Sequence, residues 1–284
     1  MRLGTLAFLF APLSVALAVG QPVSIVPETL VVPSGKLQLK GFLWKPNGPG
    51  PFPAVLFNHG SGGADADHTA GFPITEAAEK LAPLFLKHGY AFLYLFRRGQ
   101  GLSADQGPLM QDILRQEEAA KGKEARQYLQ FVLATTDHLD DVIAGLALLK
   151  TILGIDPKRL AIVGHSFGGQ LTLLAAERDN TIRAALAVSG AAGSWERSPE
   201  LRKRLLAAVD KSTAPIMLIQ AANDYSTAPS YALNDELERL HKPHLMKIYP
   251  SVGRTSEDGH NFLYLAIPQW EPDVFGFLDE HVKR

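Results

Sequence analysis

The sequence predicts a doubly wound, mostly parallel α/β sheet, and three observations carry that reading. Strand-like and helix-like segments alternate along most of the 284 residues. Several strand-like runs, Ala161-Ile162-Val163 and Ile216-Met217-Leu218-Ile219 among them, are apolar on both faces, as a sheet covered by helices requires. The composition is 46% hydrophobic, with 28 Lys+Arg against 29 Asp+Glu, and the length suits one large α/β domain or two small ones and is ample to bury a core. The same balance excludes a largely disordered chain and a basic nucleic-acid-binding surface. Cysteine is absent, so disulfides, a thiolate nucleophile and a Cys-ligated metal centre are excluded.

The N-terminal segment stands apart. Arg2 precedes an apolar run from Leu6 to Leu17, and small residues follow at Ala16, Ala18 and Gly20. Residues 1–20 have the layout of a secretory signal peptide, with cleavage after Ala18 or Gly20. A retained anchor is the alternative, because the apolar stretch to Val19 approaches spanning length. Residues 21–284 would then be an exported domain, periplasmic or extracellular, with no stable membrane insertion once the signal is removed.

The elements follow in order. Strands are expected at Thr29–Val32, Leu37–Trp44 and Pro53–Phe57, then a helix at Ile74–His88 closed by Gly89, and a fourth strand at Ala91–Phe96. A helix at His138–Leu153, a strand at Leu160–Val163 and a helix at Gly168–Arg178 come next. The alternation continues with Ala184–Ser189, Leu201–Val209, Ile216–Gln220, Tyr231–His241, Leu245–Tyr249 and Asp273–Val282. One stretch breaks the rhythm. Residues 104–136 form an insertion after the fourth strand, and Met110–Val132 within it carries helix formers of mixed charge. An insertion there lies over the carboxyl ends of parallel strands, where ligands bind, so it reads as a helical cap shaping a pocket.

The strongest motif is Gly164-His165-Ser166-Phe167-Gly168-Gly169, between the strand Leu160–Val163 and an apolar helix. G-x-S-x-G in a strand–turn–helix context is a nucleophile elbow. The turn is so tight that side chains at Gly164 and Gly168 would strike backbone, while Ser166 is lifted clear in a strained conformation. A serine hydroxyl needs a base, and the base needs an orienting carboxylate. Of nine histidines, His88, His138, His241, His244 and His281 lie in or beside helices, and His165 sits inside the elbow. His59, His68 and His260 remain, and His260, in the loop after the last strand, fits the chain order Ser, acid, His. Asp224, just after Ile216–Gln220, supplies the acid from an independent loop; Asp258 is the nearer alternative.

Asn58-His59-Gly60-Ser61-Gly62-Gly63 follows the third strand. Its glycines let backbone approach a substrate, so an N–H from the Gly60-Ser61 loop and the N–H of Phe167 read as an oxyanion hole. A phosphate cradle would want a following Lys and Ser/Thr, which this loop lacks. Asp65, Asp67 and His68 form a weak metal set without a distant partner, so no metal is expected. Trp195, in the loop Ala192-Gly193-Ser194-Trp195, is a candidate substrate-binding wall or a core anchor.

Taken together, Gly164–Gly169, Asn58–Gly62, Asn223-Asp224 and Gly259-His260 resemble the α/β-hydrolase superfamily, above all its dienelactone-hydrolase-like and prolyl-oligopeptidase-like branches. The resemblance runs from near Thr29 to the C-terminal helix and implies a Ser166–His260–Asp224 relay, a Ser61/Phe167 backbone oxyanion hole and no cofactor. The branch's name-giving enzymes use a cysteine nucleophile, and here a serine stands in its place. Phe96-Arg97-Arg98-Gly99-Gln100-Gly101-Leu102-Ser103 resembles the turn after the fourth strand in such hydrolases, and its glycines read as turn formers. The expected reaction is hydrolysis of a small carboxylic ester, with a short peptide amide as the second candidate. The rival class is a binding protein on the same scaffold, which would dispense with a member of the relay.

Overall fold

The computed structural model describes residues 26–62 and 74–284. The segment 1–20, expected to be a signal, and the weak set Asp65, Asp67 and His68 lie outside the described residues. Strands β1 (Glu28–Ser34), β2 (Leu37–Trp44), β3 (Phe52–Asn58), β4 (Ala91–Phe96), β5 (Ile155–His165), β6 (Ala184–Val188), β7 (Ile216–Ala221) and β8 (His244–Tyr249) form one sheet. Its order is β1-β2-β4-β3-β5-β6-β7-β8. The β1–β2 and β2–β4 pairs are antiparallel, and every pair from β4 to β8 is parallel. The doubly wound, mostly parallel α/β sheet expected from the alternation is the observed fold.

Helices cover both faces. On one lie α1 (Ile74–Lys87), α9 (Phe262–Leu265) and α10 (Ile267–Val282); Leu81, Phe85, Phe262, Trp270 and Phe275 pack there on Val55, Phe57, Phe92 and Val163. On the other lie α4 (Asp137–Leu149), α5 (Phe167–Arg178), α6 (Pro199–Lys211) and α7 (Ala228–Arg239). Their Val142, Leu146, Leu171, Leu205 and Leu233 meet Leu56, Leu93, Ile162 and Leu218. Alternate residues of β3 therefore face opposite cores, which is why the run from Pro53 to Phe57 is apolar throughout. No helix of the described residues is long and apolar enough to cross a membrane.

The chain leaves β3 for β4 on one side and then crosses back to place β5 on the other. This reversal leaves a crevice at the carboxyl ends of β3 and β5, the place where open parallel sheets bind ligands. The register sets Asn58 of β3 beside Gly164 of β5, so the loops after these strands meet. Over that edge stand α2 (Met110–Lys121) and α3 (Lys123–Thr135), separated by Gly122 at φ 89°. α2 buries Met110 and Leu114, and α3 packs against α5 and α6.

Element bounds differ from expectation in several places, and three of the differences have plain physical reasons. β5 begins at Ile155, because Ile155 pairs with Phe52 ahead of the irregularity that precedes Leu160. α10 begins at Ile267 rather than Asp273; Pro268 falls in its first turn, where a missing N–H is harmless, and Pro272 is accommodated inside. The expected loop Ser256–Asn261 contains a short helix, α8 (Ser256–His260). Thr255 and Asp258 form a reciprocal capping box at its start.

Candidate active site

Ser166 is the N-cap of α5, with φ 55° and ψ −117°. Its N–H donates to the Val188 carbonyl at 2.8 Å, which ties the turn to β6. A Cβ at Gly164 would overlap the carbonyl of Gly168, and one at Gly168 would overlap the carbonyl of Asn58. Both glycines are thus demanded by close backbone approach, and the strained serine is the consequence of a turn this tight.

His260, at the end of α8, and Asp224, in the loop after β7, converge on this point. His260 Nε2 is 2.8 Å from Ser166 Oγ, and His260 Nδ1 is 2.7 Å from Asp224 Oδ1. A carboxylate can only accept, so Nδ1 carries the proton and Nε2 is free to accept from the serine hydroxyl. Asp224 is held in turn by the Tyr225 N–H at 2.6 Å and by Gln220 Nε2 at 3.0 Å. The adjacent Asn223 takes the other half of the task, donating to the carbonyls of Val252 and Thr255 and accepting from the Val252 N–H. A Cβ at Gly259 would lie 2.5 Å from the Asn223 backbone, so this glycine lets α8 close onto the acid loop. Asp258, the nearer acid, is engaged with the N–H groups of Arg254 and Thr255 instead.

Three other histidines lie close by. His165 donates from Nε2 to the His260 carbonyl at 2.8 Å, and Ser189 Oγ donates to the same oxygen at 3.2 Å. His165 therefore braces the backbone of the neighbouring imidazole. Burial, aided by the nearby His260, pushes the His165 pKa down to about 3. His59 lies under the loop after β3, its pKa lowered by burial and then by Arg97. His138, which the helix pattern set apart from any strand end, is buried edge-on to Phe167 at 5.5 Å, and burial lowers its pKa as well.

These shifts predict an acid-sensitive fold. In the unfolded chain the three imidazoles bind protons below about pH 6.5, whereas in the folded protein they stay neutral. The unfolded state thus gains protons first, and stability present above about pH 6.5 falls as pH drops toward the folded pKa values. Urea titrations between about pH 7 and pH 5, above the carboxylate range, should show a falling midpoint. An unchanged midpoint across that window contradicts neutral burial.

The cleft at Ser166 has a volume of about 410 Å³. Gly60, Ser61 and Phe167, the residues of the expected backbone donors, line it together with Ser166. The first N–H groups of α5 have no intrahelical acceptor, and Gly169 and Gln170 turn theirs to the Ser166 carbonyl. The cap helices contribute Gln111, Arg126 and Gln130, and Gln170, Ser194 and Arg197 complete a polar wall. Trp195 is corrected as a wall: only 5% exposed, it is packed into the core under α6, while its neighbours Gly193, Ser194 and Arg197 face the cleft. A large apolar ring next to short polar residues turns inward. No group of metal-ligating side chains gathers among the described residues.

Sequence reasoning missed Arg97. The Arg97-Arg98-Gly99-Gln100 turn holds more than glycines: Arg97 is fully buried and donates to the carbonyls of His59 and Gly60. Arg98 takes the buried Asp141 in a two-pronged pair at 2.9 and 2.7 Å. A pair of adjacent arginines after a strand whose residues are all buried was the available signal, since alternate residues must point opposite ways.

The sheet, with its serine turn at the switch point, defines an α/β-hydrolase fold. The chain belongs to the dienelactone hydrolase family, whose profile matches residues 39–263. The quorum-quenching protein AidA of Acinetobacter baumannii (strain MDR-ZJ06) is 28% identical over 206 residues, covering 69% of this chain and 58% of that protein. The chain thus spans less than two thirds of that relative's length. The acylaminoacyl peptidase of Pyrococcus horikoshii superposes with a TM-score of 0.64 at 19% identity, over 91% of this chain and 42% of that one. Est1E of Butyrivibrio proteoclasticus, solved with ferulic acid bound, gives 0.62 at 18% identity, over 90% of this chain and 100% of that one. At such identities the likeness to the solved structures is one of fold.

Proposed function

We propose that this hydrolase is a serine esterase that cleaves a small carboxylic ester through an acyl-enzyme. The observation that carries the reading is the chain of contacts from Ser166 Oγ through both nitrogens of His260 to Asp224, at 2.8 and 2.7 Å. His260 takes the serine proton as Oγ attacks the carbonyl carbon, and Asp224 holds the tautomer and stabilises the imidazolium. Negative charge on the carbonyl oxygen is received by the N–H groups of Phe167 and Ser61. Collapse expels the alkoxide, which takes the proton from His260; water then follows the same route in reverse and releases the acid.

The cleft favours a compact substrate. The rings of Phe167, Tyr225 and Tyr264 give the cleft an apolar part for a short acyl group, but burying a long aliphatic chain against Gln111, Gln130, Gln170, Arg126 and Arg197 would strip their polar groups of water without replacing the hydrogen bonds. An ester also asks less of its leaving group than an amide. Export follows from the character of residues 1–20, and N-terminal sequencing of the mature protein tests it.

A panel of p-nitrophenyl esters of increasing acyl length, beside aminoacyl p-nitroanilides, tests the substrate class. Acetyl and butyryl esters should exceed decanoyl esters in kcat/KM by at least about tenfold, equivalent to roughly 1.4 kcal/mol. A consistent preference for the anilides would replace the esterase reading with a peptidase.

A further inference from the structure

We propose that Arg97 is a positioning residue of the oxyanion hole: its guanidinium clamps the loop after β3 from behind and thereby aims the loop's N–H groups at the reacting carbonyl oxygen. This inference rests on the reading of Ser166 as the acyl nucleophile.

The loop His59-Gly60-Ser61-Gly62 has each of its four carbonyls held by a side chain from outside it or from its first residue. Arg97 donates to the His59 carbonyl at 2.9 Å and to the Gly60 carbonyl at 2.7 Å. His59 Nδ1 donates to the same Gly60 oxygen at 2.8 Å. Gln111, from the first cap helix, donates to the Ser61 carbonyl at 2.9 Å, and Gln100 donates to that of Gly62. These peptides are trans, the cis bond among the described residues being Gly50-Pro51. In a planar trans peptide the C=O and N–H point in opposite directions. Fixing the Gly60 carbonyl on Arg97 therefore directs the N–H of Ser61 away from Arg97. Gly60 and Ser61 line the cleft with Ser166, whereas Arg97 does not, so the loop lies between the guanidinium and the reaction.

Charge reinforces the geometry. Among the described residues no carboxylate pairs with Arg97, because Asp141 is taken by Arg98. The guanidinium instead has the loop carbonyls, Gln100 Oε1 at 3.4 Å and the face of Phe167, whose ring centroid is 5.4 Å away. Its Nε has no hydrogen-bond partner among the described residues. Burial lowers the Arg97 pKa to about 10, offset in part by the charge of Asp141 beyond direct pairing distance, and the buried cation favours negative charge on the far side of the loop it holds. That is where the tetrahedral intermediate places its oxygen.

The test compares wild-type protein, Arg97→Lys and Gln111→Met on p-nitrophenyl acetate and with a trifluoromethyl ketone. The ketone forms a bond from Ser166 Oγ to its carbonyl carbon, the π pair moves to oxygen, and the serine proton passes to His260. It therefore reports the oxyanion site without a leaving group. Lysine keeps the charge but gathers its donors on one nitrogen, whereas Arg97 reaches the His59 and Gly60 carbonyls from two nitrogens of a rigid planar fork. Arg97→Lys, folded by circular dichroism, should lose roughly 10²- to 10³-fold in kcat, with KM changed by less than about threefold. Ketone affinity should fall in parallel. Gln111→Met, which frees the Ser61 carbonyl of the same loop from a partly exposed helix position, should lose about tenfold in kcat and ketone affinity with KM changed by less than about threefold. That pattern separates positioning of the loop from a direct substrate contact, and this variant carries the test if Arg97→Lys does not fold. A folded Arg97→Lys with kcat and ketone affinity near wild type, or a raised KM alone, overturns the proposal. So does an unaffected Gln111→Met where Arg97→Lys is unfolded. Folded wild-type protein that neither turns over the ester nor binds the ketone removes the nucleophile reading itself, and this inference with it.

Discussion

Ser166→Ala is expected to lower kcat on a short chromogenic ester by roughly 10⁶-fold while leaving the protein folded. The substitution removes one atom, Oγ, whose partner is the His260 imidazole at 2.8 Å. Alanine tolerates the backbone at φ 55° no worse than serine does, and the Val188 carbonyl still receives the N–H of residue 166. The stability change is that of one part-buried hydrogen bond, about 1 kcal/mol. Steady-state kinetics beside thermal melts separate the two quantities. Turnover within tenfold of wild type would dismiss Ser166 as the nucleophile.

His260→Gln should be nearly as severe, again roughly 10⁶-fold in kcat. Glutamine fills much of the same space, and the Asp224 carboxylate keeps the Tyr225 N–H and Gln220 Nε2 as donors, so no buried charge is stranded. What is lost is the group that removes the serine proton. Because the relay acts as a unit, Ser166→Ala/His260→Gln should be no slower than either single variant. Losses that multiply in the double variant would mean that the two side chains act independently.

How far the site could be read ahead of the structure depended on the range of the signals. The elbow is local: two glycines, a serine, a strand before and a helix after define it within a few residues. Asp224 and His260 are distant in sequence, yet a parallel sheet delivers every loop that follows a strand to one edge, so chain order sufficed to choose them. Arg97 had no such guide. Its partners are carbonyls of another loop, and only the packing of β4 decides that Arg97 turns inward to them while Arg98 turns to Asp141. His138 was set aside for a similar reason, since the helix pattern says nothing about the N-terminal end of α4 meeting Phe167. The short helix α8 was legible in principle, because Thr255 and Asp258 have capping-box spacing. Trp195 shows the opposite case, a loop residue whose size took it into the core while smaller neighbours formed the wall.

The most direct test of the account is covalent capture of the nucleophile. Folded protein treated with a fluorophosphonate and digested with trypsin should carry a single adduct, on the peptide containing Ser166, and His260→Gln should carry none. A folded wild-type chain that stays unlabelled, or that is labelled at another residue with Ser166 unmodified, contradicts the assignment.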